Sequence, residues 1–290
     1  MDTIDRQEPL KHQLDAMRRE GRRLAQGTLD GAPVWIKMAK AKRLRIQISK
    51  GPPRWLLARE ATMLRTMHAR GAPVPRALAV GEDYLVLADG GRGLQTVLGD
   101  APDPQRHAPL MARVGAALAA LHARGCTHGR PYIRDILVSP AGTIRFTDLE
   151  RGARLDAPRA FHVRDLGFLI LSIYARWPNA RGHALADAAI GGYYAAAPRD
   201  MPALVARWCR RLRLLALIDA PLRWREARWK AHKRWREHTA LPMMLTRLAA
   251  APRALGRDGR QALRLPERPW SLAGSGKEGT RGSMQAPQRR

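Results

Sequence analysis

The run Gly90-Gly91-Arg92-Gly93 joins two stretches of different periodicity. Before it, Thr28-Leu29-Asp30-Gly31-Ala32-Pro33-Val34-Trp35-Ile36-Lys37 reads as strand, Asp-Gly turn, strand. Leu44, Ile46 and Ile48 alternate as a further short strand would. Leu56, Leu57, Glu60, Leu64 and Met67 trace one face of a helix that Gly71-Ala72-Pro73-Val74-Pro75 ends. Ala77–Val80 and Tyr84–Leu87 then read as a hairpin around Gly81-Glu82-Asp83. After the joint the chain is mostly helical. Leu110, Val114, Leu118 and Leu121 share a face, and residues 165–175 and 183–195 have the all-round apolar character of buried helices. Only 136–138 and 143–146, around a Pro-Ala-Gly turn, read as strand there. A small sheet region followed by a larger helical one predicts an α+β fold of two lobes.

The boundaries follow. Residues 1–19 form a tail and a short helix (Leu10, Leu14 and Met17 lie at i, i+4 and i+7), and 20–92 form the sheet lobe. Residues 93–250 form the helical lobe, and 251–290, poor in apolar residues, form a basic disordered tail. The 290 residues carry 52 Lys and Arg against 25 Asp and Glu, a net charge of +27. Such an excess calls for anionic partners, although a codon bias toward arginine accounts for part of it. The two cysteines, Cys126 and Cys209, have no framework spacing, so a disulfide scaffold or zinc site is not expected. Residues 1–20 lack the apolar core of a signal peptide, and the apolar run 166–175 falls short of the roughly 20 residues that span a bilayer. The expected location is cytoplasmic, with peripheral contact to the inner membrane.

The chemistry concentrates in His128-Gly129-Arg130-Pro131-Tyr132-Ile133-Arg134-Asp135 and in Asp148-Leu149-Glu150 after the strand 143–146. Together with Lys37 at a strand end and Glu60 on the next helix, these segments resemble the protein-kinase-like fold. Within it they resemble the lipopolysaccharide core kinases of the Kdo/WaaP family, over roughly residues 20–220. The resemblance implies ATP and Mg²⁺. Lys37 would hold the nucleotide phosphates, Glu60 would position Lys37, and Asp148 with Asp135 would bind the metal. His128 would brace the loop, and Asp165 would hydrogen-bond its backbone. Read without the resemblance, Lys37 is a surface lysine beside Lys40 and Lys42, Glu60 an exposed helix residue and Asp148 a turn cap. No G-x-G-x-x-G precedes Lys37, although Gly21 and Gly27 do.

The chain departs from the family's loop pattern at two positions: mildly at Asp135, which stands where an asparagine belongs and can still ligate Mg²⁺, and more severely two residues after His128. Counting from His128, Arg130 stands where the loop aspartate belongs. An arginine stays protonated and cannot accept the acceptor hydroxyl's proton. The expected activity is phosphorylation of a sugar hydroxyl of lipopolysaccharide core or a related glycolipid, with Arg130 holding a phosphate or an anionic acceptor. The alternatives are a catalytically impaired pseudokinase scaffold, a protein Ser/Thr kinase-like enzyme and a nucleic-acid-binding protein. Trp208 and the Trp224–Arg236 run interleave tryptophan with arginine. Such a face suits an acidic membrane surface or phosphorylated headgroups, with nucleic acid second, unless the tryptophans pack on the helical lobe.

Overall fold

The computed structural model describes residues 8–39, 53–150, 152–213 and 235–254. The sheet lobe opens with α1 (Glu8–Arg19), β1 (Leu24–Leu29) and β2 (Ala32–Met38). Asp30 and Gly31, at φ 51° and 74°, close the β1–β2 hairpin in the turn that Asp-Gly favours. After α2 (Pro53–Ala69) come β3 (Ala77–Val80) and β4 (Tyr84–Ala88), completing a four-stranded sheet in the order β1-β2-β4-β3. Its neighbouring strands all run antiparallel.

Period-two alternation sorts the residues of β2 between two faces. Val34, Ile36 and Met38 are buried with Val86 against Leu10, Leu14 and Met17 of α1. The helix read from the spacing of those three residues therefore covers the sheet's outer face instead of standing apart from the lobe. Trp35 and Lys37 point to the opposite face. There α2 buries Leu56, Leu57, Glu60, Ala61, Leu64 and Met67. Gly27, weighed as a phosphate-loop glycine, lies against the end of the Gln13 side chain of α1.

The joint enters β5 (Arg92–Gly93), which pairs with β7 (Ile136–Val138), itself paired with β8 (Ile144–Phe146). Between them lie α3 (Leu94–Leu98), α4 (Pro104–Ala123) and β6 (Cys126–Thr127). A 3-10 turn, Ile133–Asp135, leads into β7. Asp103 caps α4 by accepting a hydrogen bond from the Gln105 amide at 3.0 Å, with Pro104 preset as the first helical residue. After β9 (Arg154–Leu155), which pairs with β6, come α5 (Arg159–Arg176) and α6 (Ala180–Ala196). Residues 201–213 form α7, and α8 is Trp235–Ala254. A continuous core runs from the cleft side of the small sheet through α4, α5, α6 and α8.

Trp208 of α7 is half-buried on this core, with its ring against Gly167 of α5. For Trp208 the packing alternative holds. The Leu44–Ile48 strand, the Trp224 segment up to residue 234 and the tail beyond 254 lie outside the described residues. No helix among the described residues is long and apolar enough to cross a membrane.

Candidate active site

The three residues read as phosphate lysine, helix glutamate and metal aspartate meet at the floor of a cleft between the lobes. Lys37 reaches it because it alternates out of the face that α1 covers. Glu60 reaches it because it occupies a buried position on the apolar stripe of α2. The Lys37 ammonium donates to Glu60 Oε2 and, at 3.4 Å, to Asp148 Oδ1. Glu60 has no exposed side-chain surface and Lys37 keeps 12%, while Asp148 keeps 36% and faces the cleft. Burial alone would pull the Lys37 pKa down, but the carboxylates of Glu60 and Asp148 outweigh it and hold the ammonium above its ordinary value. Burial pushes the Asp148 carboxyl up, but the Lys37 ammonium wins and holds it below the usual range. Asp148 sits at φ 65°, a left-handed conformation that costs a non-glycine residue energy.

The sequence pointed to Asp135 as the partner of Asp148. Asp135 is buried on the 3-10 turn, and the Thr147 amide donates to its carbonyl at 2.9 Å. Burial first and the charge of Asp148 second push its carboxyl up to about 6. A tighter cluster includes a residue that had been given no role. Carboxylate oxygens of Glu60, Asp148 and Glu150 lie within 4.8 Å of one another. Glu60 Oε1 is buried without a hydrogen-bond partner among the described residues. Arg23, at the entry to β1, pairs with Glu150 Oε2 at 3.4 Å, and Arg59 donates to the Glu150 carbonyl at 2.9 Å. Glu150 had a sequence signal in the Asp-Leu-Glu string. Arg23 had none, because only the fold brings β1 over residue 150.

His128 is buried and braces the loop. Its Nε2 bonds the Thr147 carbonyl at 2.8 Å, and its Nδ1 accepts the Arg130 amide at 3.3 Å, which places the proton on Nε2. Burial lowers its pKa and keeps it neutral. Asp165, fully buried on α5, accepts the His128 amide at 2.7 Å and the Gly129 amide at 2.9 Å. Gly129 and Gly152 touch backbone to backbone at φ 92° and 76°, so the two functional segments abut only because both lack a side chain.

Arg130 leaves this network. It is exposed, and its guanidinium lies over the ring of Tyr132 at 4.9 Å. The cleft itself has a volume of about 660 Å³ and is lined by Trp35, Lys37, Leu87, Arg134, Leu137 and Asp148, among others, but not by Arg130. Trp35 Nε1 donates to Asp89 Oδ1 at 3.1 Å, and the same oxygen accepts the Gly91 amide at 2.9 Å, which fixes the joint against the sheet. A cleft of this volume, with apolar residues in its lining and a cation and convergent carboxylates at its floor, has room for a flat base and a polyphosphate. The donor set at the floor is all oxygen, which suits a hard divalent cation. The unpartnered Glu60 oxygen leaves an acceptor atom open at this floor.

Comparison with protein-family models matches residues 15–188 to the lipopolysaccharide kinase (Kdo/WaaP) family. Comparison with curated proteins returned no match.

Proposed function

The chain belongs to the lipopolysaccharide kinase (Kdo/WaaP) family, and from that premise we propose that it transfers the γ-phosphoryl group of ATP to a sugar hydroxyl of lipopolysaccharide core or a related glycolipid, at the inner face of the membrane. One observation carries the reading: Lys37, Glu60 and Asp148 meet at the floor of the cleft.

Lys37 would bind the α and β phosphates of the nucleotide as a point charge, and Glu60 fixes its ammonium in place. Asp148 and Asp135, with Glu150 beside them, would hold a divalent cation such as Mg²⁺. Such an ion supplies charge neutralisation to the phosphate oxygens. Asp165 and His128 keep the loop rigid through backbone hydrogen bonds. Phosphoryl transfer passes through a loose transition state, in which positioning and electrostatics do most of the work. The chemistry therefore tolerates the loss of a general base, at a cost of about 10²–10⁴-fold. Arg130 favours a second reading, a nucleotide-binding scaffold with residual chemistry, because no proton acceptor stands in its place.

Single-turnover transfer from radiolabelled ATP to deacylated lipopolysaccharide core separates the two. The kinase reading expects slow Mg²⁺-dependent transfer, abolished in Asp148→Asn. Nucleotide binding without transfer supports the scaffold, and the absence of both sinks the family-based reading for this chain. Arg130→Asp should raise the rate if a missing base limits it.

A further inference from the structure

Two arginines beside the loop share one aromatic ring. The Arg130 guanidinium lies over Tyr132 at 4.9 Å and that of Arg134 at 5.1 Å. Tyr132 is only 7% exposed, so its ring is a fixed platform, while both arginines are exposed. A second pair repeats the arrangement: Arg154 and Arg164 lie over Phe161 at 4.7 and 4.6 Å. Arg154 pairs in register with Thr127, the residue before His128, so the second pair stands at the entry to the same loop. Stacking on a ring holds a guanidinium's orientation while its N–H groups remain free to bond elsewhere.

Within the described residues, Arg130, Arg154 and Arg164 have no carboxylate at ion-pair distance, whereas Arg134 pairs with Asp135, its Nε 3.5 Å from Oδ1. Arg164 Nε is buried without a hydrogen-bond partner. At Arg130, Arg154 and Arg164 this is positive charge without a carboxylate partner among the described residues, unlike arginines elsewhere on the surface such as Arg18 with Asp83 and Arg70 with Asp156. The pair on Tyr132 also has a direction. Arg134 lines the cleft and Arg130 does not, so the two run from the edge of the nucleotide site outward.

We propose that Arg130 and Arg134, held on Tyr132, form the acceptor subsite and grip a phosphate ester already carried by the sugar whose hydroxyl is phosphorylated. The proposal rests on the kinase reading and names its substrate class, an anionic phosphorylated sugar. A phosphate dianion matches two forked guanidiniums better than a single carboxylate does. Arg154 and Arg164 add positive potential beside it. The arginine that removed the proton acceptor thus belongs to acceptor recognition and stands apart from the donor phosphates.

The test is calorimetric binding to the full chain, which needs no turnover. The probes are glucosamine 6-phosphate, glucosamine as its uncharged control, and a non-hydrolysable ATP analogue with Mg²⁺. The expected result is that the phosphorylated sugar binds and glucosamine does not. Arg130→Gln and Arg134→Gln should each weaken the sugar phosphate about tenfold or more, and Arg130→Gln, which lies outside the cleft lining, should leave the nucleotide analogue's affinity within twofold. Arg130→Lys, which keeps the charge but not the fork, should fall between. Thermal denaturation confirms that these surface variants fold. Equal binding of sugar and sugar phosphate overturns the proposal, as does an Arg130→Gln effect confined to the nucleotide analogue. Failure of the wild-type chain to bind the analogue would instead count against the kinase reading, which keeps the two failures apart.

Discussion

Lys37 and Glu60 form an ion pair that is almost wholly removed from water, and such a pair is expensive to break from one side. The mutual attraction roughly offsets two desolvation costs, and deleting the cation leaves a buried carboxylate with nothing to compensate it. Lys37→Met should therefore destabilise the fold by about 3–5 kcal/mol in denaturant titrations as well as abolish nucleotide binding. The double variant Lys37→Met/Glu60→Leu should be more stable than Lys37→Met alone and equally inactive. Additive losses in that cycle would show that the pair is not coupled as the geometry requires. Glu60 was legible in the sequence because it interrupts an apolar stripe, and a charge placed on a core-facing stripe must find a partner there. Lys37 was legible as the end of a strand. Arg134 was not, because its position at the cleft depends on the 3-10 turn that precedes β7, and no periodicity marks a turn of three residues.

The helices of the large lobe meet at unusually small separations where side chains are missing. A Cβ on Gly115 of α4 would collide with the Ala189 carbonyl of α6, and one on Gly192 would collide with the Ala112 carbonyl. Gly115→Leu should force α4 and α6 apart and cost at least the roughly 1–3 kcal/mol of ordinary overpacking, read as a lower Tm. The same helices bury a titratable stack. His122 of α4 and His162 of α5 lie parallel at 4.2 Å, and His122 bonds the Tyr193 hydroxyl of α6 at 2.9 Å and approaches Asp165 at 3.4 Å. Burial, then the charge of His122, pushes the His162 pKa down from 6.5 to about 4, against the opposing pull of Asp165 and with Arg159 adding to the lowering. The unfolded chain takes up this proton below about 6.5, whereas the folded chain refuses it until about 4. Stability is therefore fully present above the upper value and drains away as pH falls through that window. His162→Gln should flatten the slope of Tm against pH between those limits, and an unchanged slope would remove His162 as its source. The long helices and the two hairpins of the small lobe could be read from the sequence, because each spans several periods of its pattern. The two-residue strands β5, β6 and β9 could not, since a pairing that short leaves no alternation and is fixed only by tertiary contact.

Across the whole chain, the 25 acidic residues are too few to balance 52 basic ones, and many are already engaged. Asp100, Asp156, Asp187 and Asp200 pair with Arg176, Arg70, Arg247 and Arg159, while Asp148, Glu60 and Glu150 converge on the cleft. The chain is left with a net charge of +27. A peripheral enzyme acting on an anionic glycolipid would need an excess of this kind, since each basic residue near an acidic bilayer contributes about 1 kcal/mol within a Debye length. The chain should sediment with vesicles containing phosphatidylglycerol at low salt and leave them near 1 M salt, where the screening length shrinks to about 3 Å. It should ignore phosphatidylcholine vesicles at any salt. Trp208 distinguishes charge from insertion. Its ring packs on Gly167 in the core, so Trp208→Ala should lower the Tm without changing vesicle binding. If that substitution instead released the protein from vesicles while leaving the Tm untouched, the ring would be a membrane contact and the packing against α5 would not be its main role. Binding to neutral vesicles, or binding that survives 1 M salt, would mean that apolar insertion rather than the net charge of +27 brings the chain to the membrane.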